Sequence, residues 1–289
     1  MDARTLRIKT EVLDYLSGTF LSRGYLWMLP KILSPITDPL WPDPAEQKIE
    51  PLEVEVRTYG IKLRLTHSMI LHKQVAVSKF DRIFVLSPNV RIEAREPDGW
   101  HAFEFTQFDF EARGLKMEDV MKTLEDVVKG LTKRLCEGGL VSCDEYGDIL
   151  KGSFPVYDYT KLEEEGIERL TTEEKRPFFV VNIPREFYDY YDEGKGRWHN
   201  YDLYVPGYGE VASGGEREWE YEKIMQKIME GGLKPESFAR YLKIVESGEI
   251  KPSAGAGLGV ERLVTFFAGL NDIADAQVFP RIPYRNVEL

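Results

Sequence analysis

The stretch His101-Ala102-Phe103-Glu104-Phe105-Thr106-Gln107-Phe108-Asp109 decides how this chain is read. With Phe110 and Glu111 it alternates in character over eleven positions, which predicts a long β-strand. Residues two apart in a strand share a face. His101, Phe103, Phe105, Gln107 and Asp109 therefore line one side, and Ala102, Glu104, Thr106, Phe108 and Phe110 the other. The first face mixes an imidazole, two aromatic rings, an amide and a carboxylate, an odd mixture for a core. Taken alone, it equally fits a half-solvated sheet surface with scattered charges. Just upstream, Arg91-Ile92-Glu93 falls in a predicted strand from Val90 to Arg95, with Arg91 and Glu93 on one face. A hairpin would bring the two faces together.

A glycine stretch near the C-terminal end, Gly255-Ala256-Gly257-Leu258-Gly259-Val260-Glu261-Arg262, leads into an expected helix. A dinucleotide turn needs its third glycine three residues after the second, and here the gap is two. Too little chain follows for the rest of such a unit. No Gly-Lys-Ser/Thr phosphate loop occurs anywhere. The stretch gains meaning from Glu261-Arg262 directly behind it. Together the three segments offer cations for phosphates, an aromatic face for a base, and small residues where a backbone must come close. They read as parts of one ATP site, in an enzyme that activates a carboxylate. An expected hairpin pairs Asn200 to Val205 with Glu210 to Ser213 around Pro206-Gly207-Tyr208-Gly209. It sets Asp202 and Glu210 on facing strands, a pair suited to Mg²⁺, which prefers oxygen ligands, although two solvated charges would look the same.

Around these segments, helices are expected over Thr5 to Arg23, Ser68 to Val77, Met117 to Glu137, Glu216 to Glu230, Pro235 to Glu246 and Gly259 to Gly269. Strands are expected at Tyr25 to Leu29, Ile61 to Leu65, Arg82 to Leu86 and Phe178 to Ile183. Neighbouring strands with few helices between them predict an α+β class with a mostly antiparallel sheet. Residues 1–289 are expected to form a single domain, and the proline-rich Ser34 to Pro51 is expected to be a loop. The chain is 43% hydrophobic and 30% charged, as a folded globular protein should be. Its net charge of −11 makes a nucleic-acid partner unlikely by composition, since a basic stripe is the usual footprint. No apolar run approaches 18 residues and the first residues lack a signal-peptide core, so a cytoplasmic location is expected. Cys136 and Cys143 match no zinc or disulfide spacing.

In combination, these segments resemble the catalytic domain of class II aminoacyl-tRNA synthetases, most closely the asparaginyl/aspartyl branch. Phe20 to Pro30 looks like the family's first motif, which builds a homodimer interface there. Arg91-Ile92-Glu93 with His101 and Phe105 resembles the second motif, and Gly255 to Arg262 the third. The run Asp202 to Glu210, followed by Arg217, is similar to the metal and amino-acid segment of asparaginyl-tRNA synthetases. The resemblance implies an ATP set of Arg91, Glu93, His101, Phe105, Gly259 and Arg262. Phe105 and Arg262 would sandwich the adenine. It implies Mg²⁺ on Asp202 and Glu210, and an amino-acid set of Lys73, Asp109, Arg217 and Asp38, with Arg91, Arg217 and Arg262 as the catalytic cations. Three departures are visible: Trp100 where an arginine often precedes the histidine, Ile70 where a substrate glutamine is common, and Ser213-Gly214-Gly215-Glu216 before Arg217.

Aspartyl- and asparaginyl-tRNA synthetases carry an N-terminal anticodon-binding barrel, and no such segment is expected before Phe20. The resemblance therefore points first to stand-alone asparagine synthetases of the archaeal type. These activate the aspartate β-carboxylate with ATP to β-aspartyl-AMP and amidate it with ammonia, giving asparagine, AMP and pyrophosphate. The alternative is a stand-alone paralogue that passes an amino acid to tRNA or another acceptor. A homodimer is implied in either case.

Overall fold

The computed structural model describes residues 1–36, 38, 53–56, 60–92, 96–163, 165–185 and 187–285. The chain opens with helix α1 (Ala3–Ser22), whose first turn is capped by Asp2 accepting the Thr5 N–H at 2.7 Å. Ile8, Val12, Leu16 and Phe20 recur every four residues and form its buried stripe. Short strands β1 (Leu26–Trp27) and β2 (Leu33–Ser34) follow, then β3 (Glu53–Val56), β4 (Ile61–Leu65) and helix α2 (Ile70–Val77). Next come the long strands β5 (Arg82–Val90) and β6 (Glu104–Arg113), and helix α3 (Met117–Glu137).

The middle of the chain holds α4 (Cys143–Tyr146), β7 (Val156–Asp158), α5 (Gly166–Glu173), β8 (Phe178–Val181), β9 (Tyr191–Asp192) and β10 (Arg197–Trp198). It continues with β11 (Asn200–Val205), β12 (Gly209–Glu216), α6 (Tyr221–Glu230) and α7 (Ala239–Glu246). Strand β13 (Ser253–Gly259) and helix α8 (Val260–Ala268) follow, and a short 3₁₀ helix (Ile273–Ala276) comes after them.

One sheet organises the molecule, with strand order β1-β5-β6-β13-β12-β11-β8-β7. The pairs from β5 through β8 are antiparallel, while β1 on β5 and β7 on β8 are parallel at the two edges. The expected α+β class and mostly antiparallel sheet are what the chain forms. One sheet face is covered by α1, α3 and α8. Phe108, Phe110 and Ala112 of β6 and Ala254, Ala256 and Leu258 of β13 pack there with Ile8, Leu16, Leu124, Leu131 and Val264. A second apolar cluster lies elsewhere, where Ile70 and Leu71 of α2 meet Ile224, Ile228, Tyr241 and Val245 of α6 and α7.

Several sequence expectations need adjusting. The separate strand from Val90 to Arg95 is not formed as expected: Val90 ends β5, Arg91 and Ile92 are irregular, and 93–95 lie outside the described residues. The strand expected from His101 begins at Glu104, because the Asp98 side chain draws the Trp100 and His101 N–H groups into a local turn at 2.9 Å each. The helix expected from Glu216 starts at Tyr221, since Gly209 to Glu216 is strand. The glycine stretch is itself a central strand, which the sequence reading did not anticipate. Most of the expected loop from Ser34 to Pro51 lies outside the described residues.

Candidate functional site

The sheet face opposite α1, α3 and α8 is lined by the odd-numbered residues of β6 and β13. Phe105, Gln107, Asp109 and Glu111 project from β6. Their partners across the ladder are Gly259, Gly257 and Gly255, paired with Gln107, Asp109 and Glu111 in turn. The alternation of glycine with Ala254, Ala256 and Leu258 thus separates two environments. A Cβ on Gly257 would stand 2.9 Å from Asp109 Oδ1 and 3.2 Å from Gln107 Nε2. A Cβ on Gly255 would collide with the Phe110 carbonyl and the Glu111 carboxylate. These glycines make room for β6 side chains lying across them.

A cleft of about 700 Å³, its open mouth included, sits on this face. Arg91, His101, Phe105, Gly259 and Arg262 all line it, as do Glu210, Trp100 and Gln107. Five of the six residues expected to hold ATP therefore share one cavity. The sixth, Glu93, lies outside the described residues. Arg91 Nε donates to the His67 carbonyl at 3.1 Å, and its guanidinium stands 5.2 Å from the Phe105 ring centre. Arg262 lies instead against Trp100, 5.4 Å from its ring centre, and its Nη1 donates to the Glu210 carbonyl at 3.0 Å. His101 Nδ1 is paired with the Asp98 carboxylate.

Asp202 is 4% exposed and Arg185 binds its Oδ2, together with Ser213 Oγ. Its Oδ1 is buried with no partner. Burial pushes the Asp202 carboxyl up to about 6, the Arg185 charge opposing the rise and the Glu210 charge adding to it. Register pairs Asp202 with Ser213 and Tyr204 with Glu210, so the hairpin expected from sequence does form. Among the described residues no three His, Cys, Asp or Glu side chains gather into a metal cage. A two-carboxylate site completed by water remains chemically consistent with the orphaned Asp202 oxygen.

The four residues expected around an amino acid fall into three settings. Lys73 and Asp109 form a buried pair at 2.7 Å, with Lys73 Nζ also donating to the Ala256 carbonyl at 3.1 Å. Asp109 Oδ2 is buried without a partner. Asp38 is buried, and its Oδ2 accepts the Tyr188 hydroxyl at 3.0 Å. Arg217 is not among the residues lining the cleft. Its Nε reaches Glu111 Oε1 at 3.2 Å, its Nη1 Asp189 Oδ1 at 2.8 Å, and its Nη2 the Gly255 carbonyl at 3.1 Å. Burial alone would lower its proton affinity, but Glu111 and Asp189 more than offset that and raise it.

Three polar residues of this region escaped the sequence reading. Glu111 could have been found, because it continues the odd-numbered face of β6. Arg185 and Asp189 carried no signal, since both follow β8 outside any extended strand, Asp189 in an isolated bridge to Arg217, and reach their partners only through the tertiary fold.

Residues 2–283 match the model of the tRNA synthetases class II (D, K and N). An asparagine–tRNA ligase of Thermococcus kodakarensis is 28% identical over 99% of this chain and 73% of its own. One from Pyrococcus furiosus is 31% identical over 76% of this chain, which spans 57% of that relative's length. The crystal structure of asparaginyl-tRNA synthetase from Pyrococcus horikoshii complexed with asparaginyl-adenylate superposes with a TM-score of 0.86 at 25% identity, covering 99% of this chain and 70% of that one.

Proposed function

We propose, since this chain belongs to the class II tRNA synthetases of the D, K and N type, that it adenylates the carboxylate of asparagine or aspartate with ATP and then transfers the acyl group. The observation that carries this reading is the cleft that Arg91, His101 and Arg262 line together with Phe105 and Glu210. Nucleotidyl transfer is chiefly positioning and neutralisation of phosphate charge, and three cationic or ionisable groups around an aromatic face suit it. Arg91 and Arg262 would bind the phosphates, and Phe105 would carry the adenine. In the structure Arg91 rests over Phe105 and Arg262 over Trp100, so adenine would take its place by displacing the Arg91 guanidinium from that ring. Asp202 and Glu210 would hold Mg²⁺, which when bound supplies further neutralisation of phosphate charge. The unpartnered Oδ2 of Asp109 suits the substrate ammonium, and Lys73 beside it a carboxylate. Arg217 would contribute mainly by ordering this wall, as its guanidinium is already held by Glu111 and Asp189.

The acceptor favoured by the relatives is tRNA, because those described above are by name asparagine–tRNA ligases. The expectation from composition that nucleic acid is no partner has no support beside that. A second reading, an aspartate–ammonia ligase making asparagine, rests on Ile70. This apolar side chain is 5% exposed and lies one helical turn before Lys73, where the resemblance implies a substrate glutamine. Aspartate and ATP would give β-aspartyl-AMP and pyrophosphate, and ammonia would then displace AMP. A second copy of the chain is also proposed as partner, through the exposed Leu26, Trp27, Leu29 and Ile32 near β1.

Pyrophosphate exchange with asparagine or aspartate, followed by supply of tRNA or ammonium, tests both readings. Exchange with acylated tRNA as product supports the first. Exchange with free asparagine formed from aspartate and ammonium supports the second. No exchange with either amino acid sinks adenylation altogether.

A further inference from the structure

We infer that Trp100 is a positioning residue for Arg262, holding the guanidinium against an aromatic face so that its charge stays available to the nucleotide. The inference rests on the ATP-binding reading above. Trp100 is fixed by its own loop: Asp98 Oδ1 accepts its N–H at 2.9 Å, and the carbonyl of Gly99 accepts the Ile273 N–H at 2.8 Å. Its ring is backed by Tyr208 at 5.9 Å, and Tyr208 meets Phe266 edge-on at 5.6 Å. Phe266 is buried on α8, the helix that carries Arg262. A line of rings thus ties the loop, the β11–β12 turn and α8 together. Gly209 permits the approach, since a Cβ there would stand 3.3 Å from Trp100 Nε1, and its φ of +129° already excludes most side chains.

Held in this way, Arg262 keeps its charge. Its ion pair with Glu210 is loose, 3.6 Å from Nη1 to Oε1, and its hydrogen bond runs from Nη1 to a main-chain carbonyl. Among the described residues Nε and Nη2 have no hydrogen-bond partner. A carboxylate partner would fix the guanidinium equally well but would cancel the field that a polyphosphate needs. An aromatic face fixes it and leaves the field in place. Arg91 is treated alike by Phe105, whereas the buried Arg217 is neutralised by two carboxylates. The cleft therefore separates arginines that face a ligand from one that builds the wall.

The test is a double-mutant cycle on Trp100 and Arg262, read as the dissociation constant of α,β-methylene-ATP with Mg²⁺ by calorimetry. W100A is expected to weaken binding roughly fivefold to tenfold and W100F by about twofold, from the usual strength of such contacts. Binding of the amino acid is expected to be unmoved. In an R262A background W100A should cost nothing further. Additive losses, or W100A binding as wild type does, would overturn the inference alone. A general disturbance of the fold would weaken amino-acid binding in W100F as well, and that result also counts against it. Failure of the wild-type chain to bind the nucleotide overturns this inference and the ATP-binding reading together.

Discussion

Arg217 and Glu111 form an ion pair on the sheet face that carries the cleft, both side chains almost wholly buried, with Nε 3.2 Å from Oε1. Asp189 takes the other edge of the same guanidinium at 2.8 Å. A buried charge that loses its partner is far costlier than the intact pair is favourable. Glu111→Gln leaves Arg217 with one carboxylate and should lower stability by about 3 kcal/mol. Thermal unfolding measures the loss. It should come with a raised KM for the amino acid and little change in the KM for ATP. An unchanged melting temperature would mean that the pair does not anchor this wall.

Gly257→Ala tests the room that β13 leaves for Asp109. The added methyl must push aside Asp109 Oδ1 at 2.9 Å, which Lys73 holds in turn. Overpacking of this kind costs about 1–3 kcal/mol. Amino-acid affinity should fall with it, because the Asp109 carboxylate is displaced. Ala256→Gly, on the other face, should lose stability through weaker packing and leave the KM values near wild type.

Asp202→Asn should raise the Mg²⁺ concentration that supports half-maximal pyrophosphate exchange by tenfold or more, in line with the loss of a charged ligand. The side chain stays the same size, so β11 and β12 should remain paired. Titration of exchange against Mg²⁺ is the measurement. An unchanged midpoint would remove Asp202 from the metal site.

Glu216 gives the fold a specific acid sensitivity. Burial alone would raise its carboxyl, but hydrogen bonds from His199, Lys116 and the Met117 N–H outweigh that and bring it from 4.5 down to about 2. The folded value lies below the unfolded one. The stabilisation is therefore complete above pH 4.5 and fades as pH falls toward 2. Glu216→Gln should cost on the order of 2–3 kcal/mol at neutral pH and flatten the decline in stability between pH 4.5 and 2. Denaturant midpoints across that range check the sign.

Sequence reading reached the elements whose pattern is local. Helix α3 was legible to the residue, because Met117 to Glu137 carries an uninterrupted apolar stripe. The hairpin of β11 and β12 was legible from its turn residues. Strand β13 was not, since glycine and alanine have no strand preference of their own, and only pairing with β6 and β12 makes that segment extended. The cleft was legible in its Arg91, His101, Phe105 and Arg262 because each lies in a compact motif. Arg217 was legible as an important cation but not as a saturated one. Its partners Glu111 and Asp189 are 106 and 28 residues away in the chain, a relation that only the fold creates.

The two-sidedness of β13 bears on how such a cleft can change its ligand. Gly257 and Gly259 present only peptide groups to the cavity, while the alanines and leucine of the strand belong to the core. The strand is a featureless floor, and selectivity has to be written on β6, β12 and α2 at either side. Those walls are themselves tied together by buried pairs, Glu111 with Arg217 and Asp109 with Lys73, so a change of ligand there has to keep or replace those pairs while the floor beneath stays as it is.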